Sequence, residues 1–309
     1  PRYWTMKGYR VERRWGWDCH GLPIENIIEE DMGISGKKEI EEKVGVAEFN
    51  EACRDKVLQY ADIWDSAIRR IARWVDFKNA YKTMDLDYME SVWWGFKEMW
   101  NKGLVYEGRR VLLYCPRCET PISNFEVAMD NSYKEITEES VYVKFPLKTP
   151  GELDENLQDQ QVSILAWTTT PWTLPGNVAL AVGEDIDYVV VEKEGEYLIL
   201  AQHKLEDILP EEDYRIHKRI KGGNLAGLDY TPLFRVPAVE ESGKRAWYVA
   251  TADFVTTEEG TGIVHTAVVY GEDDYNLGLQ LDLPVVPSLD GQGYFNENIP
   301  DFQGIYFKD

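Results

Sequence analysis

The chain has 309 residues, of which 33 are Lys or Arg and 55 are Asp or Glu, giving a formal net charge of −22 at pH 7. This acidic surplus argues against nonspecific nucleic-acid binding, for which a basic footprint is expected, but it leaves room for a local basic patch. Hydrophobic residues make up 44% of the chain, and no apolar run approaches the roughly 18 residues that cross a membrane. These features, with the lack of a signal peptide, predict a folded cytoplasmic protein of two or three domains without membrane association.

The first part of the chain predicts helices. Residues 1–48 combine a basic, aromatic opening with the stretch GWDCHGLPIE and a polar segment rich in glutamate. From Phe49 to Val75 apolar residues recur every three or four positions, which predicts a long amphipathic helix. A second helix is predicted from Tyr88 to Lys102, with an inward face formed by Val92, Phe96 and Met99. We expect these two helices to pack together as a hairpin.

The second part of the chain predicts strands. From Ser140 onward, short apolar or alternating segments are separated by turn residues. DYVVVE and EYLILA flank Lys193-Glu194-Gly195, which predicts a β-hairpin with the glycine in its turn. The predicted fold class is therefore mixed α+β. The abrupt first and last residues suggest a piece of a longer protein.

The stretch LAWTTTPWTLPGN, from Leu165 to Asn177, predicts a strand that ends in three adjacent threonines. Threonine favours strands, so a purely structural interpretation is available. However, Pro171 cannot donate a ladder hydrogen bond and biases the residue before it toward an extended or turn conformation. The threonine hydroxyls therefore lie where a strand stops, which is a common place for binding groups.

A histidine and a carboxylate follow a second predicted strand, in GTGIVHTAVVYGEDDY. A lone histidine such as His265 is more often a satisfied core residue, and an acidic run is usually a solvated turn. Together, however, His265 and Asp274 supply a neutral ring and a carboxylate that could hold an ammonium group. That combination suits a small amino-acid-like ligand better than a phosphate. No nucleophile is paired with a base, so a covalent triad is not supported.

Cys115 and Cys118 form a CPRC turn, which is half of a zinc knuckle. A structural zinc usually has four ligands, and the chain contains no second CxxC. A redox motif is the alternative, but it would be expected at a strand–helix junction rather than between two strands. We expect a zinc half-site whose other ligands lie outside this chain.

GWDCHGLPIE resembles the signature that follows the first ATP motif in class I aminoacyl-tRNA synthetases, in its isoleucyl form. The leucyl and valyl relatives carry GWDAFGLPAE-like and GTDHAGIATQ-like versions, and Cys19-His20 with Leu22-Pro23-Ile24-Glu25 favours the isoleucyl one. The segments TMKGYRVERRWGW, CPRC, AWTTTPWTLPGN, ADFVTTEEGTGIVH and GEDDY are also similar to this family. The resemblance covers nearly the whole chain.

The resemblance implies a domain order and a division of labour. Residues 1–48 would be part of a Rossmann-type catalytic domain, residues 49–139 a helical and zinc-knuckle connective segment, and residues 140–309 a β-barrel-like editing domain. Asp18 matches the position that holds the amino group of the amino acid during aminoacylation. The two ATP motifs of the family are absent from this sequence, so ATP and Mg²⁺ are expected to bind the full-length enzyme but not this chain.

The resemblance also gives the threonines a purpose. A pocket for isoleucine rejects valine by only about 1–3 kcal/mol, so a second site must hydrolyse valyl-tRNA(Ile) while excluding isoleucine. The residues that match this editing site are Trp167, Thr168, Thr169, Thr170, Thr173 and Asn177. His265 matches the position that limits side-chain size, and Asp274 matches the one that binds the α-ammonium group. A positioned water would perform the hydrolysis.

The sequence departs from the family pattern at one place, and two other interpretations of its function remain open. After Ala267 the family usually has Pro-Ala-Phe, whereas this chain has Val268-Val269-Tyr270, whose bulk could alter size selection if it faces the pocket. The chain could instead be a tRNA-binding or structural module with an inactive editing pocket, or part of a leucyl or valyl sister enzyme. The expected partners are tRNA(Ile) and valine or isoleucine as the aminoacyl group, and we expect the full-length enzyme to be monomeric.

Overall fold

A computed structural model describes residues 1–210 and 214–309, and it divides into two units. The first unit contains residues 1–109 and 115–120, and the second contains residues 110–114 and 121–309. The first unit thus runs across the predicted boundary at residue 48, and the second includes residues before the predicted boundary at residue 140. No helix within the described ranges is both long and apolar enough to span a membrane.

Helices dominate the first unit. Its elements before the CPRC turn are α1 (Arg2–Met6), β1 (Arg14–Trp17), α2 (Leu22–Met32), α3 (Gly36–Glu39), a π-helical turn (Ile40–Val44), α4 (Val46–Arg70), β2 (Asp76–Lys82) and α5 (Leu86–Asn101). β1 and β2 form a parallel pair, and α2 packs on α4. The two long helices predicted from apolar spacing are therefore confirmed as α4 and α5.

The predicted packing of those two helices as a hairpin is wrong. Strand β2 separates them in the chain, and α5 buries none of its residues within the described part of the structure. Its expected inward side chains are about half exposed: Val92 is 54% exposed, Phe96 52% and Met99 47%. The apolar spacing fixed the helix and its apolar face, but it carried no information about which element would cover that face.

Strands dominate the second unit. Two short strands, β3 (Tyr114–Cys115) and β4 (Thr120–Pro121), flank the CPRC turn where the chain passes between the two units, and the helical turn α6 (Asn124–Val127) follows in the second unit. The remaining strands are β5 (Val141–Pro146), β6 (Val162–Thr168), β7 (Ala179–Val182), β8 (Asp187–Lys193), β9 (Glu196–Ala201), β10 (Arg215–Lys221), β11 (Tyr248–Thr251) and β12 (Ile263–Thr266). The helices are α7 (Leu205–Ile208), α8 (Pro237–Glu241) and α9 (Glu272–Leu281).

Two sheets enclose the core of the second unit. In the described residues, a five-stranded sheet has the order β10-β8-β9-β6-β5, and a three-stranded sheet has the order β11-β7-β12. The main core cluster draws apolar residues from both, including Ile164, Leu180, Val190, Ile199 and Ile263. Within the described ranges neither sheet closes into a barrel, so the expected barrel-like form is corrected to two separate sheets that share a core.

The β8–β9 hairpin shows how local sequence sets the sheet register. Lys193 pairs with Glu196, which leaves Glu194 and Gly195 as a two-residue turn. Both turn residues have positive φ, 53° and 86°, as the mirror-image turns of hairpins require. The predicted hairpin is confirmed, and its register aligns the valines of β8 with the apolar residues of β9.

Candidate active site at the end of strand β6

A cavity of about 180 Å³ lies where β6 ends. It is bounded by that strand end, the 3-10 turn Pro171–Gly176, strand β12 and the first turn of α9. Its lining residues are Trp167, Thr168, Thr170, Thr173, Val264, His265, Ala267, Tyr270 and Asp274. The fold thus brings together residues up to 107 positions apart, from the two segments that the sequence singled out.

Three of the four predicted threonines form a connected group of hydroxyls. Thr168 Oγ1 lies 3.2 Å from Thr170 Oγ1 and accepts the backbone N–H of Thr170 at 3.1 Å. Thr173 Oγ1 lies 3.5 Å from Thr170 Oγ1 and donates to the backbone carbonyl of Thr170 at 2.8 Å. These bonds hold the strand end and the following turn in one fixed conformation.

Thr169 is not part of this group. It is exposed, and it lines a different and larger cavity of about 650 Å³ together with Pro171 and Trp172. Successive residues of an extended segment face opposite sides, so Thr168 and Thr170 share one side and Thr169 takes the other. The structure therefore brings together Thr168, Thr170 and Thr173, but not Thr169.

His265 is held by Thr173 inside the wall of the cavity. Its Nε2 lies 2.8 Å from Thr173 Oγ1, and burial lowers the pKa of His265 to about 4. The ring is therefore neutral near pH 7. Because the Thr173 hydroxyl donates its proton to the Thr170 carbonyl, it must accept the hydrogen bond from His265, which places the ring proton on Nε2. Nδ1 is then a buried acceptor that has no hydrogen-bond partner among the described residues.

Asp274 supplies the acidic group of the cavity. It is the third residue of α9, where a carboxylate is favoured by the helix dipole, and its Oδ2 accepts the backbone N–H of Ala267 at 3.4 Å. Burial nevertheless raises the pKa of Asp274 to about 6, and the neighbouring charge of Asp273 adds to the rise. A cation bound beside Asp274 would relieve this cost of ionisation.

Asn177 and Asp18 lie elsewhere. Asn177 is buried, and its side chain donates to the carbonyl of Ala179 and accepts the hydroxyl of Tyr230 at 2.7 Å. Its backbone carbonyl accepts the indole N–H of Trp247, so its polar groups fasten the turn after the threonines rather than line the cavity. Asp18 is an exposed residue of the first unit, directly after β1.

Trp167, Val264, Ala267 and Tyr270 complete the cavity wall. Gly260 lies against Trp167, because a Cβ at this glycine would be 2.9 Å from the indole Cε3. Of these wall residues the sequence had singled out Trp167, and it had marked Tyr270 as a departure from the family. Val264 and Ala267 carried no signal beyond their neighbourhood to His265.

Two of the residues at which this chain departs from the family, Val268 and Tyr270, lie in different places: one in the core and one at the cavity. Val268 is buried in a core cluster and lies against Gly278 of α9, where a Cβ would come within 2.6 Å of it. Tyr270 faces the cavity. The added bulk of Val268 therefore fills the interior, while Tyr270 can act on the ligand space.

The CPRC turn offers two thiols for a metal. The backbone N–H of Cys118 lies 3.4 Å from Cys115 Sγ, and Arg117 lies 3.3 Å from Cys118 Sγ. Burial and the neighbouring Cys115 raise the pKa of Cys118. In the part of the chain that the structure describes, no group of three or more Cys, His, Asp or Glu side chains could hold a metal ion. Two thiols fit half of a tetrahedral zinc site, so no step of a reaction is assigned to zinc.

Comparison with known proteins places the chain in a family. Residues 1–266 match the family described as tRNA synthetases class I (I, L, M and V), and the chain belongs to this family. All of the chain aligns with the isoleucine–tRNA ligase of Treponema denticola at 46% identity and with that of Clostridium novyi at 48%. The resemblance to isoleucyl synthetases seen in GWDCHGLPIE is thereby confirmed. The chain spans 30% and 28% of the length of these two relatives.

Among solved structures, the editing domain of the cytosolic leucyl-tRNA synthetase of P. knowlesi is similar at 17% identity with a TM-score of 0.37. The match covers 46% of this chain and 62% of that one.

Proposed function

We propose that the second unit hydrolyses valyl-tRNA(Ile), as the editing part of an isoleucyl-tRNA synthetase whose full length ligates isoleucine to tRNA(Ile) with ATP. The observation that carries this proposal is the cavity of about 180 Å³ in which three threonine hydroxyls, a neutral imidazole and a buried carboxylate meet. Such a cavity has room for an amino-acid side chain and its ammonium group, and it is too small for a nucleotide.

Each group has a role in this reaction. Asp274, ionised by pairing, binds the α-ammonium group of the valyl ester. His265 forms the end of the cavity that limits the length of the side chain. Thr168 and Thr170 orient the ester and the attacking water, since their hydroxyls can both donate and accept. Thr173 holds His265 in place.

The chemistry needs no protein nucleophile. The oxygen of a water attacks the ester carbonyl carbon, the bond from that carbon to the ribose oxygen breaks, and the ribose oxygen takes up the proton that the water loses. Valine and uncharged tRNA are the products. Neutral His265 is not the base for this water, because its Nε2 donates to Thr173 and its Nδ1 is buried. Positioning and polarisation by the threonine hydroxyls are the contributions that the chain supplies.

The assignment of the first unit follows from the same family. The parallel pairing of β1 and β2 supports the assignment of residues 1–48 to a Rossmann-type catalytic domain. In that domain Asp18 would bind the amino group of the amino acid during aminoacylation. Zinc binding by Cys115 and Cys118 in the full-length protein, a cytoplasmic location and a monomeric state belong to this proposal. The missing ATP motifs mean that this chain alone would not form isoleucyl-tRNA.

The test is deacylation of valyl-tRNA(Ile), with isoleucyl-tRNA(Ile) as the cognate control. Asp274→Asn keeps the shape of the side chain and removes its charge, so kcat/KM for valyl-tRNA should fall by about 10- to 100-fold, the value of one charge-assisted hydrogen bond. Asp273→Asn, on the exposed neighbour in the same helical turn, is the matched control and should retain the rate. Hydrolysis no faster than the spontaneous rate by the unmodified chain would refute the proposal.

A further inference from the structure

Basic residues from separate segments of the first unit meet around one cavity of about 570 Å³. Its walls include Arg2, Arg13, Arg14 and Arg73, and we call it the arginine cavity. The parallel pairing of β1 with β2 brings these segments together, and the backbone N–H of Asp76 donates to the carbonyl of Arg13 at 2.8 Å. In a chain with a net charge of −22, the arginine cavity is a local basic patch of the kind that the composition left room for.

The four arginines are not neutralised by carboxylates. Within the residues that the structure describes, none of the four forms an ion pair, and no acidic side chain lines the cavity. Asp76 lies opposite Arg14 in the strand register, but its carboxylate accepts the backbone and side-chain N–H groups of Asn79. Like charges around one cavity repel one another, and an anion bound between them would remove that repulsion.

Aromatic rings hold the guanidinium groups in place. The guanidinium carbons of Arg2 and Arg13 lie 5.8 and 5.5 Å from the ring centroid of Trp74. That of Arg73 lies 5.2 Å from the ring centroid of Trp15. Stacking on an aromatic ring fixes the plane of a guanidinium, and it leaves the N–H groups at the edge of that plane available for a ligand.

Two of the arginines have N–H groups to offer. Arg2 and Arg14 each donate to a backbone carbonyl, whereas the side chains of Arg13 and Arg73 form no hydrogen bond within the described part of the chain. Nη1 of Arg13 is buried and has no partner among the described residues. Because buried donors in proteins are nearly always paired, this nitrogen favours an acceptor inside the cavity.

The donor set of the cavity favours phosphate among anions. A planar guanidinium binds two phosphate oxygens at once, and about 570 Å³ accommodates more than one phosphate group. Tyr3 and Trp74 also line the cavity. Cationic side chains combined with aromatic rings are typical of surfaces that follow a nucleic-acid backbone.

We infer that the arginine cavity binds backbone phosphates of an RNA, with Arg13 and Arg73 as its main contacts. This inference goes beyond the proposed editing reaction, because the cavity belongs to the first unit and none of its groups is used in the hydrolysis. It also explains how a strongly acidic chain can hold an RNA, since a local cluster of cations neutralises the phosphates that it touches.

The test is the binding of a fluorescently labelled tRNA(Ile) transcript, followed by anisotropy at several salt concentrations. The salt dependence counts phosphate contacts, because the logarithm of the association constant falls by about 0.9 per neutralised phosphate for each unit of log salt. In a variant that combines Arg13→Gln with Arg73→Gln, we expect the affinity to fall about 10- to 100-fold and this slope to become shallower by about 1–2.

The matched control combines Arg10→Gln with Arg54→Gln. It removes the same charge from the same unit, but both arginines pair with a glutamate and neither lines the cavity. Its affinity should stay within about twofold of that of the unmodified chain. Arg73→Gln alone changes an exposed side chain, so it provides a second folded variant and should give about half of the change in slope.

Thermal unfolding distinguishes a binding role from a structural one. Without a ligand, the Arg13 and Arg73 double variant should be at least as stable as the control variant, because it relieves the repulsion among the arginines. Inorganic pyrophosphate should raise the melting temperature of the unmodified chain and not that of the double variant. A double variant that unfolds at a lower temperature than the control would show that these arginines are structural, and it would overturn the inference.

The remaining outcomes are equally decisive. Equal weakening of tRNA binding in the double variant and the control, or no binding by the unmodified chain, would overturn the inference. If the double variant loses stabilisation by pyrophosphate but retains its affinity for tRNA, the cavity takes a free phosphate compound and the assignment to RNA is wrong. Deacylation enters none of these measurements, so the inference and the editing proposal can fail separately.

Discussion

Thr173→Val would reveal how much the second unit depends on one hydroxyl. Valine has nearly the same shape as threonine, so the change removes the oxygen and leaves the packing. In the structure this hydroxyl donates to the carbonyl of Thr170 and accepts from Nε2 of His265, both at 2.8 Å. The variant loses both bonds, and the buried imidazole is left without a partner among the described residues at either nitrogen.

The magnitude follows from these two bonds. Each net hydrogen bond contributes about 1 kcal/mol, and an unsatisfied buried donor adds a desolvation cost of about 1–3 kcal/mol. Because the Nε2–H of His265 becomes such a donor, we expect the free energy of unfolding to fall by about 3–5 kcal/mol. For a unit of this size that loss lowers the melting temperature by roughly 6–20 °C.

The assay is differential scanning calorimetry of the unmodified chain, Thr173→Val and Thr173→Ser at pH 7.5. Serine keeps the hydroxyl and loses one methyl group, so it should retain most of the stability, although it also leaves a small cavity. A valine variant as stable as the unmodified chain, or a serine variant less stable than the valine one, would contradict the hydrogen-bond assignment and the tautomer of His265 that depends on it.

Two further predictions concern pH and the cavity wall. As the pH falls through about 6, protonation of Asp274 removes the partner of the substrate ammonium group. In a steady-state pH profile, KM for valyl-tRNA(Ile) should therefore rise by up to about tenfold per pH unit. A KM that stays constant between pH 5 and 8 would exclude Asp274 as the residue that binds the ammonium group. Gly260→Ala adds a Cβ 2.9 Å from the indole of Trp167 at a φ of +64°, whereas Gly243→Ala meets the same backbone strain, at +69°, with no neighbour within 4 Å. In urea denaturation we expect both variants to lose about 1–2 kcal/mol from the strain, and Gly260→Ala to lose more; equal losses would mean that Trp167 moves aside freely.

Local sequence patterns were sufficient to predict individual helices and the hairpin, but they were insufficient to predict how the helices and sheets pack. The sequence predicted α4, α5 and the β8–β9 hairpin, because helix periodicity and a two-residue turn are encoded within a few positions. It failed for the α4–α5 hairpin and for the barrel, because apolar faces such as that of Val92 and Phe96 are compatible with many partners. The long-range pairing of β7 with both β11 and β12 has no signature within any one segment.

The candidate site shows the same division. His265 and Asp274 could be singled out from the chain, but the bond from His265 to Thr173 joins residues 92 positions apart and had no local signal. Asn177 was assigned to the site because it matches the family's editing motif; in the structure it is not among the residues that line the cavity, and its side chain and backbone carbonyl bond Tyr230 and Trp247. Thr169 could have been separated from its neighbours, since strand alternation already places it on the opposite side.

That alternation makes the segment from Thr168 to Pro171 sensitive to its length more than to its composition. Thr168 and Thr170 line the small cavity, and Thr169 lines the large one. Inserting or deleting a single residue here would exchange the two faces, so that one hydroxyl would remain where two had been. Substitutions among Ser and Thr would preserve the chemistry of the small cavity, whereas a one-residue change in length would dismantle it without altering any side chain that remains.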